Sequence, residues 1–438
     1  RIAVALLAGG MACTLSAPAS ANSVEYFHSR SINKDVPTLL AQEDRDYYRA
    51  LFGAIDKEDW TRVQELLAQR KDGPLQDVAR AEYYLAARSP KVDLPQIEDW
   101  LRTGKTLPQA AQLAKLGAKR GLARMPDLPA ARNFYQQPSA PKRIRPGAIS
   151  DGTMPDSMRD AILQRITNDD PDGARQLLDG VDAGLSREAR AEWRQRVAWS
   201  YYIENQDAAA LAMAQTVAEG AGPWVAEGDW VVGLSAWRQG DCRTALDGFE
   251  NAARHATNQE LAAAASYWAS RAAVRCRMPE KAGAFLKQAA RNDETLYGML
   301  AAEQLGTALP ARFARPDFSE SDWKWLKDAE NVRVAIELAE IGRDELASKV
   351  LLHQARIGDP ADYESRSRLA RSLGLPSTQL YMAYNAPQGG KPDPASRYPA
   401  PKWMPVTGWQ VDPALAYAHA LQESNFRTSA VSPANARG

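Results

Sequence analysis

Hydrophobic and polar positions follow a helical period through most of the chain. From about Val24 to Arg315 the sequence is rich in Ala, Leu, Glu, Arg and Gln, and runs of β-branched residues are few. A second block with the same period runs from Ser319 to Tyr384. The pattern therefore predicts an all-α protein.

A short sequence phrase recurs within this helical pattern. Each copy combines the end of one helix, a turn containing Asp or Gly, and a second amphipathic helix. The copies are IDKEDWTRVQELL, ITNDDPDGARQLL, YIENQDAAALAMA, AWRQGDCRTALDGF and LAEIGRDELASKVL. Asp207 and Asp241 lie 34 positions apart, a period typical of helix-turn-helix repeats of tetratricopeptide type. Because the copies match only loosely, we predict an irregular α-solenoid.

Two proline-containing stretches and a set of tryptophans refine this picture. The stretch from Gln136 to Pro155 interrupts the helices, and a loop of this length is usually functional or mobile. Pro387 to Pro405 is too rich in proline for an α-helix, so it is a linker or a loop wrapped on its neighbour.

Six tryptophans have the spacing of residues in a helix core, and we favour this core role over a role in stacking on sugars. They are Trp60, Trp193, Trp199, Trp230, Trp237 and Trp268.

Composition and charge narrow the class of partner. Hydrophobic residues make up 45% of the chain and charged residues 25%, the balance of an ordinary globular protein. Lys and Arg together number 54, as do Asp and Glu, so no net field attracts nucleic acid or an anionic membrane. We expect a polymeric partner to be held by shape and hydrogen bonds, and no nucleic-acid partner.

The first 21 residues have the features of a secretory signal peptide. Arg1 precedes an apolar run that ends in Ala19-Ser20-Ala21, a small-residue cleavage pattern. An alternative is a lipid anchor on Cys13, although Gly10 stands where such a signal usually has Leu. No later run approaches about 18 apolar residues, so we expect an exported protein without a membrane span.

Removal of Cys13 with the signal would leave Cys242 and Cys276. In an oxidising compartment the pair can form a disulfide worth roughly 3–4 kcal/mol, and otherwise the two are small buried side chains. Sequence alone leaves both alternatives open. With four scattered His and no Cys-x-x-Cys, we expect no metal site and no cofactor.

A Glu-Ser pair near the end of the chain is the candidate for chemistry. Asp412 suits a helix N-cap and Pro413 the first helical position. One face of the helix is expected to carry Ala414, Tyr417, Ala418 and Leu421. Glu423 then lies near the C-terminal end of this helix, where a useful general acid would also need apolar burial.

The segment VDPALAYAHALQESNFRTSAVSPANARG resembles the opening of the catalytic domain of the soluble lytic murein transglycosylases. Their motif has Gln-Glu-Ser, an aromatic residue, Ala-x-Ser and a Gly-Ala-x-Gly turn. The matching positions are Gln422, Glu423, Ser424, Phe426, Ala430, Ser432, Ala434, Ala436 and Gly438. The helix from Tyr297 to Gly306 and the pair Tyr398-Pro399 also agree. Asn435 replaces the usual Gly, and Asn tolerates a left-handed backbone well.

The resemblance implies a domain order. It consists of a signal peptide (1–21), an α-superhelical domain (22–315), a helical linker domain (316–390), and a Pro-rich connection followed by the start of a lysozyme-like domain (391–438). The family continues with a Leu-Met-Gln segment and the rest of that domain. Since the present sequence lacks them, we expect a fragment that is inactive alone.

The resemblance also implies an activity in the periplasm. The complete enzyme would cleave the β-1,4 bond between N-acetylmuramic acid and N-acetylglucosamine in peptidoglycan glycan strands, without water. Glu423 would act as acid and then base, forming a 1,6-anhydro end. Ser424 would contact the site or cap the helix end, and the superhelix would guide the strand. The alternatives are a non-catalytic helical-repeat scaffold and a hydrolytic muramidase.

Overall fold

The computed structural model describes residues 36–307, 318–401 and 403–436, and the regular secondary structure of these residues is almost entirely helical. The prediction of an all-α protein is confirmed. The predicted signal peptide and Cys13 lie outside the described residues. No helix among the described residues is long and apolar enough to cross a membrane.

The described helices form two compact units. The first unit comprises the described residues up to Pro138 together with those from Phe318 onward. Its elements are α1 (Gln42–Asp56), α2 (Trp60–Gln69), α3 (Gln76–Leu85), α4 (Leu94–Thr103), α5 (Ala110–Lys119), β1 (Phe134–Gln136), α15 (Glu320–Leu326), α16 (Glu330–Glu340), α17 (Asp344–Ile357), α18 (Tyr363–Ser372), α19 (Pro376–Tyr384), β2 (Asn385–Pro387) and α20 (Pro413–Ser424).

The second unit comprises the described residues from Ser139 to Thr307. Its elements are α6 (Asp156–Thr167), α7 (Pro171–Asp179), α8 (Arg187–Ile203), α9 (Asp207–Gln215), α10 (Trp224–Gln239), α11 (Cys242–His255), α12 (Gln259–Arg275), α13 (Pro279–Ala290) and α14 (Leu296–Gln304).

This grouping does not test the predicted domain boundaries, which stay predictions. It does add a fact about packing. The segment that the sequence assigned to one superhelical domain, 22–315, contributes helices to both units, because α1 to α5 pack with α15 to α19.

A single type of turn connects seven of the consecutive helix pairs, and it explains the recurring sequence phrase. The residue before the N-cap has a left-handed backbone, and the next amide donates to the carbonyl five residues earlier. This arrangement is the Schellman ending of a helix, fused directly to the start of the next one. The left-handed residues are Glu58, Asp169, Asn205, Gly240, Arg277, Gly342 and Gly374.

Aspartates complete three of these turns. The side chains of Asp59, Asp170 and Asp241 accept hydrogen bonds from amides three residues later, which are otherwise orphaned at the helix start. All five copies of the phrase span the end of one helix and the start of the next, and in four of them the turn contains Asp or Gly as expected. In the copy from Tyr202 the turn is Glu204-Asn205-Gln206, and Asp207 already begins α9.

The large hydrophobic core of the first unit is built from distant parts of the sequence. Leu51, Phe52 and Trp100 from the early helices pack with Phe318 and Leu338 from the late ones. A two-stranded antiparallel sheet also joins the early and late parts of the sequence, with Phe134 opposite Pro387 and Gln136 opposite Asn385. Residues more than two hundred positions apart therefore complete the same core.

The second unit is a series of helices, most of which pack against the next in sequence. Gly233 and Gly248 allow α10 and α11 to approach closely, because a Cβ at Gly248 would lie 2.6 Å from the Gly233 amide nitrogen. Sequential packing of this kind is typical of α-solenoids. All six predicted core tryptophans lie in hydrophobic clusters or pack against them, which confirms the core interpretation.

From Ser139 onward the proline-containing stretch belongs to the second unit and is held by specific contacts to its helices. The Arg143 guanidinium binds the buried Glu227 carboxylate with both terminal nitrogens. Trp224 donates its indole N–H to the Gly147 carbonyl at 3.0 Å. The Ile149 amide donates to the buried Glu192 carboxylate. Two buried carboxylates are thus satisfied by this one segment, which places it firmly.

The Pro387 to Pro405 stretch is wrapped on the first unit. It contains one 3₁₀ turn, Pro394–Arg397, whose N-cap Asp393 is fully buried. Arg371 on α18 donates to the Asp393 carboxylate at 2.8 Å, and Ser396 donates to it at 3.0 Å. Of the two sequence alternatives, the wrapped loop is therefore the observed one.

Cys242 and Cys276 form a disulfide, with their Cα atoms 5.4 Å apart. It joins the first residue of α11 to the C-cap of α12 and so closes a loop over both helices.

We predict that replacing both cysteines, Cys242→Ala with Cys276→Ala, lowers the free energy of unfolding of the second unit. The expected loss is roughly 3–4 kcal/mol, because a loop of this length restricts the unfolded chain. Urea unfolding followed by tryptophan fluorescence measures it. A reductant should produce the same loss in the wild type and no further loss in the variant, and a wild type insensitive to reductant would contradict the prediction.

The first unit also contains a buried acid without a partner. Glu337 on α16 is 3% exposed, and its carboxylate has no ion pair or hydrogen bond within the described residues. Burial raises its pKa from 4.5 to about 7, Arg333 partly opposes this, and the nearby Glu340 and Asp44 add to it. The folded protein therefore binds a proton that the unfolded chain releases near pH 4.5.

The pKa of Glu337 is higher in the folded than in the unfolded state, which fixes the sign of its pH dependence. Its stabilising contribution is complete below about pH 4.5 and is lost as the pH rises through about 7. Between pH 5 and 8 the wild type should lose on the order of 3 kcal/mol of its free energy of unfolding. Glu337→Gln should not show this loss, because its side chain stays neutral. Urea unfolding across this range measures it, with the exposed Glu98→Gln as the matched control. Identical pH profiles for the Glu337 variant and the wild type would contradict it.

Candidate active site

The candidate catalytic helix, α20, forms where the sequence predicts it. The Asp412 side chain accepts a hydrogen bond from the Ala414 amide at 2.8 Å, and Pro413 occupies the first helical position. The helix ends at Ser424, so Glu423 is its penultimate residue, as expected.

The buried face of α20 differs from the predicted one. Tyr417 is buried and Leu421 half-buried, but Ala414 and Ala418 are exposed. Pro413 and Ser424 are buried instead. The face turns toward the large aromatic side chains available nearby, so the alanines, which have little apolar surface to bury, remain in solvent.

An aromatic cluster holds α20 on the first unit. The Tyr417 ring lies 5.5 Å from Trp409 and 6.3 Å from Phe426, and the Phe426 ring lies 5.9 Å from Trp403. Leu380 on α19 joins Tyr417 and Phe426 in the buried cluster. Trp403 and Trp409 come from the segment before the helix and Phe426 from the residues after it, so both flanking segments contribute to the cluster.

The polar end of Tyr417 is also used. Its hydroxyl donates to the Pro401 carbonyl at 2.7 Å, which ties the middle of α20 to the Pro-rich stretch. Burial raises the pKa of Tyr417 to about 12, so the phenol stays protonated and remains a donor at neutral pH.

The backbone after Ser424 has two consecutive left-handed residues. Asn425 has φ 50° and Phe426 has φ 59°. Asn tolerates this region, whereas a bulky aromatic residue occupies it at a cost of about 1–3 kcal/mol. The conformation turns the chain back so that Phe426 reaches Tyr417 and is 3% exposed. Packing of this ring therefore compensates for backbone strain directly beside Glu423.

Glu423 itself is exposed, as is Gln422. Neither side chain has a hydrogen bond or ion pair within the described residues. The apolar burial that a general acid requires is thus not provided by the residues around α20.

Ser424 is buried, and its hydroxyl donates to the Ala420 carbonyl in its own helix at 3.2 Å. Its own carbonyl accepts from the Arg427 amide at 3.1 Å. These contacts favour the structural alternative for Ser424, an ending for the helix and its turn. Its predicted contact with substrate stays a prediction.

The Ser432 region forms a closed turn. The Ser432 amide donates to the Ala436 carbonyl at 2.8 Å, and the Ser432 hydroxyl accepts from the Ala436 amide at 3.1 Å. Asn435 has φ 61°, the left-handed conformation expected at this position. Ala430 is half-buried, Ala434 is exposed, and Gly438 lies outside the described residues.

A groove beside this region was not predicted. It has a volume of about 410 Å³ and lies in the first unit between α17, α19 and Arg427–Ser429. Its residues come from separate parts of the sequence that carry no shared motif, so sequence reasoning had no means of grouping them. The nearest sequence signal was the pair of tryptophans, Trp403 and Trp409, within a Pro-rich stretch.

No group of three or more His, Cys, Asp or Glu in the described ranges is placed to hold a metal ion. The Cys242–Cys276 disulfide belongs to the second unit and α20 to the first. The predicted site residues that the structure describes in the first unit therefore all lie in the segment from Gln422 to Ala436.

Comparisons with known proteins found a similar solved structure but no match at the level of sequence. No protein-family model matches the chain, and no curated protein matches its sequence. Among solved structures, the chain is similar to the 70 kDa soluble lytic transglycosylase SLT70 of Escherichia coli. The sequences are 14% identical, the TM-score is 0.43, and the match covers 91% of this chain and 80% of that one.

We predict that Phe426→Ala releases the end of α20 from its aromatic cluster. Removing a buried ring typically costs about 3–5 kcal/mol, here reduced by relief of the left-handed strain at this residue. Hydrogen exchange should accelerate in Pro413–Ser424, with little change in α6 to α14. The control is Phe426→Leu, which retains apolar volume and should be protected more than the Ala variant. Unchanged exchange in α20 would contradict this account.

Proposed function

We propose that this chain is part of a peptidoglycan lytic transglycosylase in which Glu423 is the catalytic acid. The observation that carries the proposal is the placement of the Gln422-Glu423-Ser424 segment. It ends a helix with the Glu423 carboxylate free and accessible, while Ser424 and Phe426 on either side of the turn are buried. The carboxylate is thus presented to a large substrate from a fixed backbone.

The proposed reaction uses one carboxyl group twice. Glu423, protonated, gives its proton to the oxygen of the β-1,4 bond between N-acetylmuramic acid and N-acetylglucosamine. As the carboxylate it then accepts the proton of the muramic acid 6-hydroxyl, whose oxygen attacks C1 of the same sugar. The product is a 1,6-anhydro ring, and water does not enter. One carboxyl group suffices because the substrate supplies the nucleophile, unlike the usual glycosidase pair.

Glu423 needs apolar surroundings for this role. Since its side chain is exposed among the described residues, we propose that the sugar substrate, together with protein beyond these residues, covers it during catalysis. Burial would then favour the protonated form of the acid at the start of the reaction.

We also propose a periplasmic location. The Cys242–Cys276 disulfide is suited to an oxidising compartment. The apolar N-terminal sequence ending in Ala19-Ser20-Ala21 has the features of an export signal. Both features agree with a substrate in the cell envelope.

The prediction is that Glu423→Gln, in the complete protein, abolishes release of muropeptides from purified sacculi. Gln has nearly the same shape but cannot donate the proton, so thermal unfolding should change by less than about 0.5 kcal/mol. Mass spectrometry of the products should show anhydro ends in the wild type. The matched control is Glu303→Gln, an exposed residue of α14, which should keep full activity.

Three outcomes separate the alternatives. Reducing ends in place of anhydro ends would make the protein a hydrolytic muramidase. Retained activity in Glu423→Gln would mean that another residue is the acid. A folded complete protein without any activity on sacculi would favour a helical-repeat scaffold.

A further inference from the structure

The Cys242–Cys276 disulfide ties together two inter-helix turns of the second unit. Cys242 is the first residue of α11, directly after the turn at Gly240 and Asp241. Cys276 is the C-cap of α12, directly before the left-handed Arg277. Both cysteines are half-buried, unlike the fully buried residues of the helix core. The disulfide is thus a clasp between two turns near the surface.

An arginine makes the same connection without a covalent bond. Arg275 on α12 donates to the Trp237 carbonyl near the end of α10 at 3.0 Å, and its guanidinium lies 4.6 Å from the centre of the Trp237 ring. At the preceding pair of turns Arg238 does the same to Tyr202, at 2.6 Å and 3.7 Å. No cysteine is present there. Because one pair of turns is held without a covalent bond, the clasp at the other can open without complete loss of the connection.

Three arginines lie around the clasp. Arg243 follows Cys242, and Arg275 and Arg277 flank Cys276. The Cα atoms of the two cysteines are 5.4 Å apart, so the three arginines belong to one small region. All three are exposed, and none has a carboxylate partner within the described residues. Their positive charge stabilises a thiolate that is released beside them.

The two sulfurs differ in what stabilises a negative charge. Cys242 occupies the first position of a 14-residue helix, where the backbone dipole favours an anion. Cys276 lies at the opposite end of its own helix, where the dipole disfavours one. The neighbouring Asp241 carboxylate opposes a thiolate at Cys242, but it accepts hydrogen bonds from the amide and the hydroxyl of Thr244. Since the better-stabilised thiolate leaves faster, Cys242 is the expected leaving group.

We propose that the Cys242–Cys276 disulfide is a redox switch opened by a protein with a Cys-x-x-Cys dithiol. The partner's thiolate attacks the Cys276 sulfur and forms a mixed disulfide, while Cys242 leaves as a thiolate with the electron pair of the broken bond. The partner's second thiol, after losing its proton, attacks the partner's own sulfur and releases Cys276 as a thiolate, which takes up a proton. Two electrons thus pass from the dithiol to the disulfide.

Opening the clasp acts on the turn between α12 and α13. Arg277 has a left-handed backbone, with φ 59°, which costs free energy for a residue other than glycine. The disulfide fixes the preceding residue, Cys276, to the start of α11. Once it is reduced, the turn depends on Arg275 and on backbone hydrogen bonds. Reduction therefore loosens the entry into α13, whereas α10 and α11 keep their close contact at Gly233 and Gly248.

The first test traps the exchange on the full chain. The probe is a thioredoxin whose second active-site cysteine is replaced by serine, so that the reaction stops at the mixed disulfide. Mass spectrometry of tryptic peptides should place the probe on Cys276 about fivefold or more over Cys242. Arg243→Gln combined with Arg277→Gln should slow trapping about threefold or more. The control Lys287→Gln, an exposed cation of α13, should trap like the wild type.

Hydrogen exchange tests the structural consequence. Reduction of the wild type should speed exchange in the first turn of α13 and the turn before it about fivefold or more, with little change in α6 and α7. Glycine adopts a left-handed turn without steric cost, so Arg277→Gly should show a smaller acceleration.

Four results would each overturn the proposal. They are the absence of a mixed disulfide, trapping mainly on Cys242, equal trapping rates in the double arginine variant and Lys287→Gln, and equal hydrogen exchange in the oxidised and reduced protein. Glu423 lies in the first unit, so Glu423→Gln should trap the probe like the wild type. Failure of sugar cleavage and failure of disulfide exchange are thus separate results.

Discussion

One backbone hydrogen bond closes seven of the turns between consecutive helices and recurs in both units. In each case an amide donates to a carbonyl five residues earlier, as from Asp59 to Ala54 and from Asp241 to Ala236, both at 3.0 Å. The bond satisfies a carbonyl at the end of one helix and positions the residue that starts the next. The same local geometry therefore joins consecutive helices in both units.

Helices and their turns could be predicted because each depends on a few neighbouring residues. Asp59, Asp170 and Asp241 signal an N-cap, and Gly240 and Gly342 signal a left-handed turn. Two turns of the same geometry were missed. Arg277 has no sequence feature that favours a positive φ, and Gly374 lies in a stretch with no matching phrase. Gly374 adopts this backbone freely because it has no Cβ, whereas the conformation of Arg277 follows from no neighbouring residue type.

The candidate site shows the same division between local and distant causes. The cap at Asp412, the end of the helix near Glu423 and the left-handed Asn435 follow from neighbouring residues. The buried face of α20 does not, because Trp403, Trp409 and Leu380 determine it from outside the helix. The groove could not be predicted either, because its walls come from three separate parts of the sequence: α17, α19 and the turn at Phe426. That turn is strained at Phe426, and the same ring belongs to the cluster that holds α20 and to the groove wall.

The divided sequence of the first unit has a consequence for how the protein folds. Leu51, Phe52 and Trp100 are synthesised long before Phe318 and Leu338, which belong to the same core cluster. Contacts of such large sequence separation form slowly, and apolar surface that waits for its partner is prone to aggregate. The second unit has mainly local contacts and its own clusters, so it is expected to fold first, as an insertion within an unfinished neighbour. The helices from Gln42 to Lys119 therefore remain without part of their core until the late helices have been synthesised.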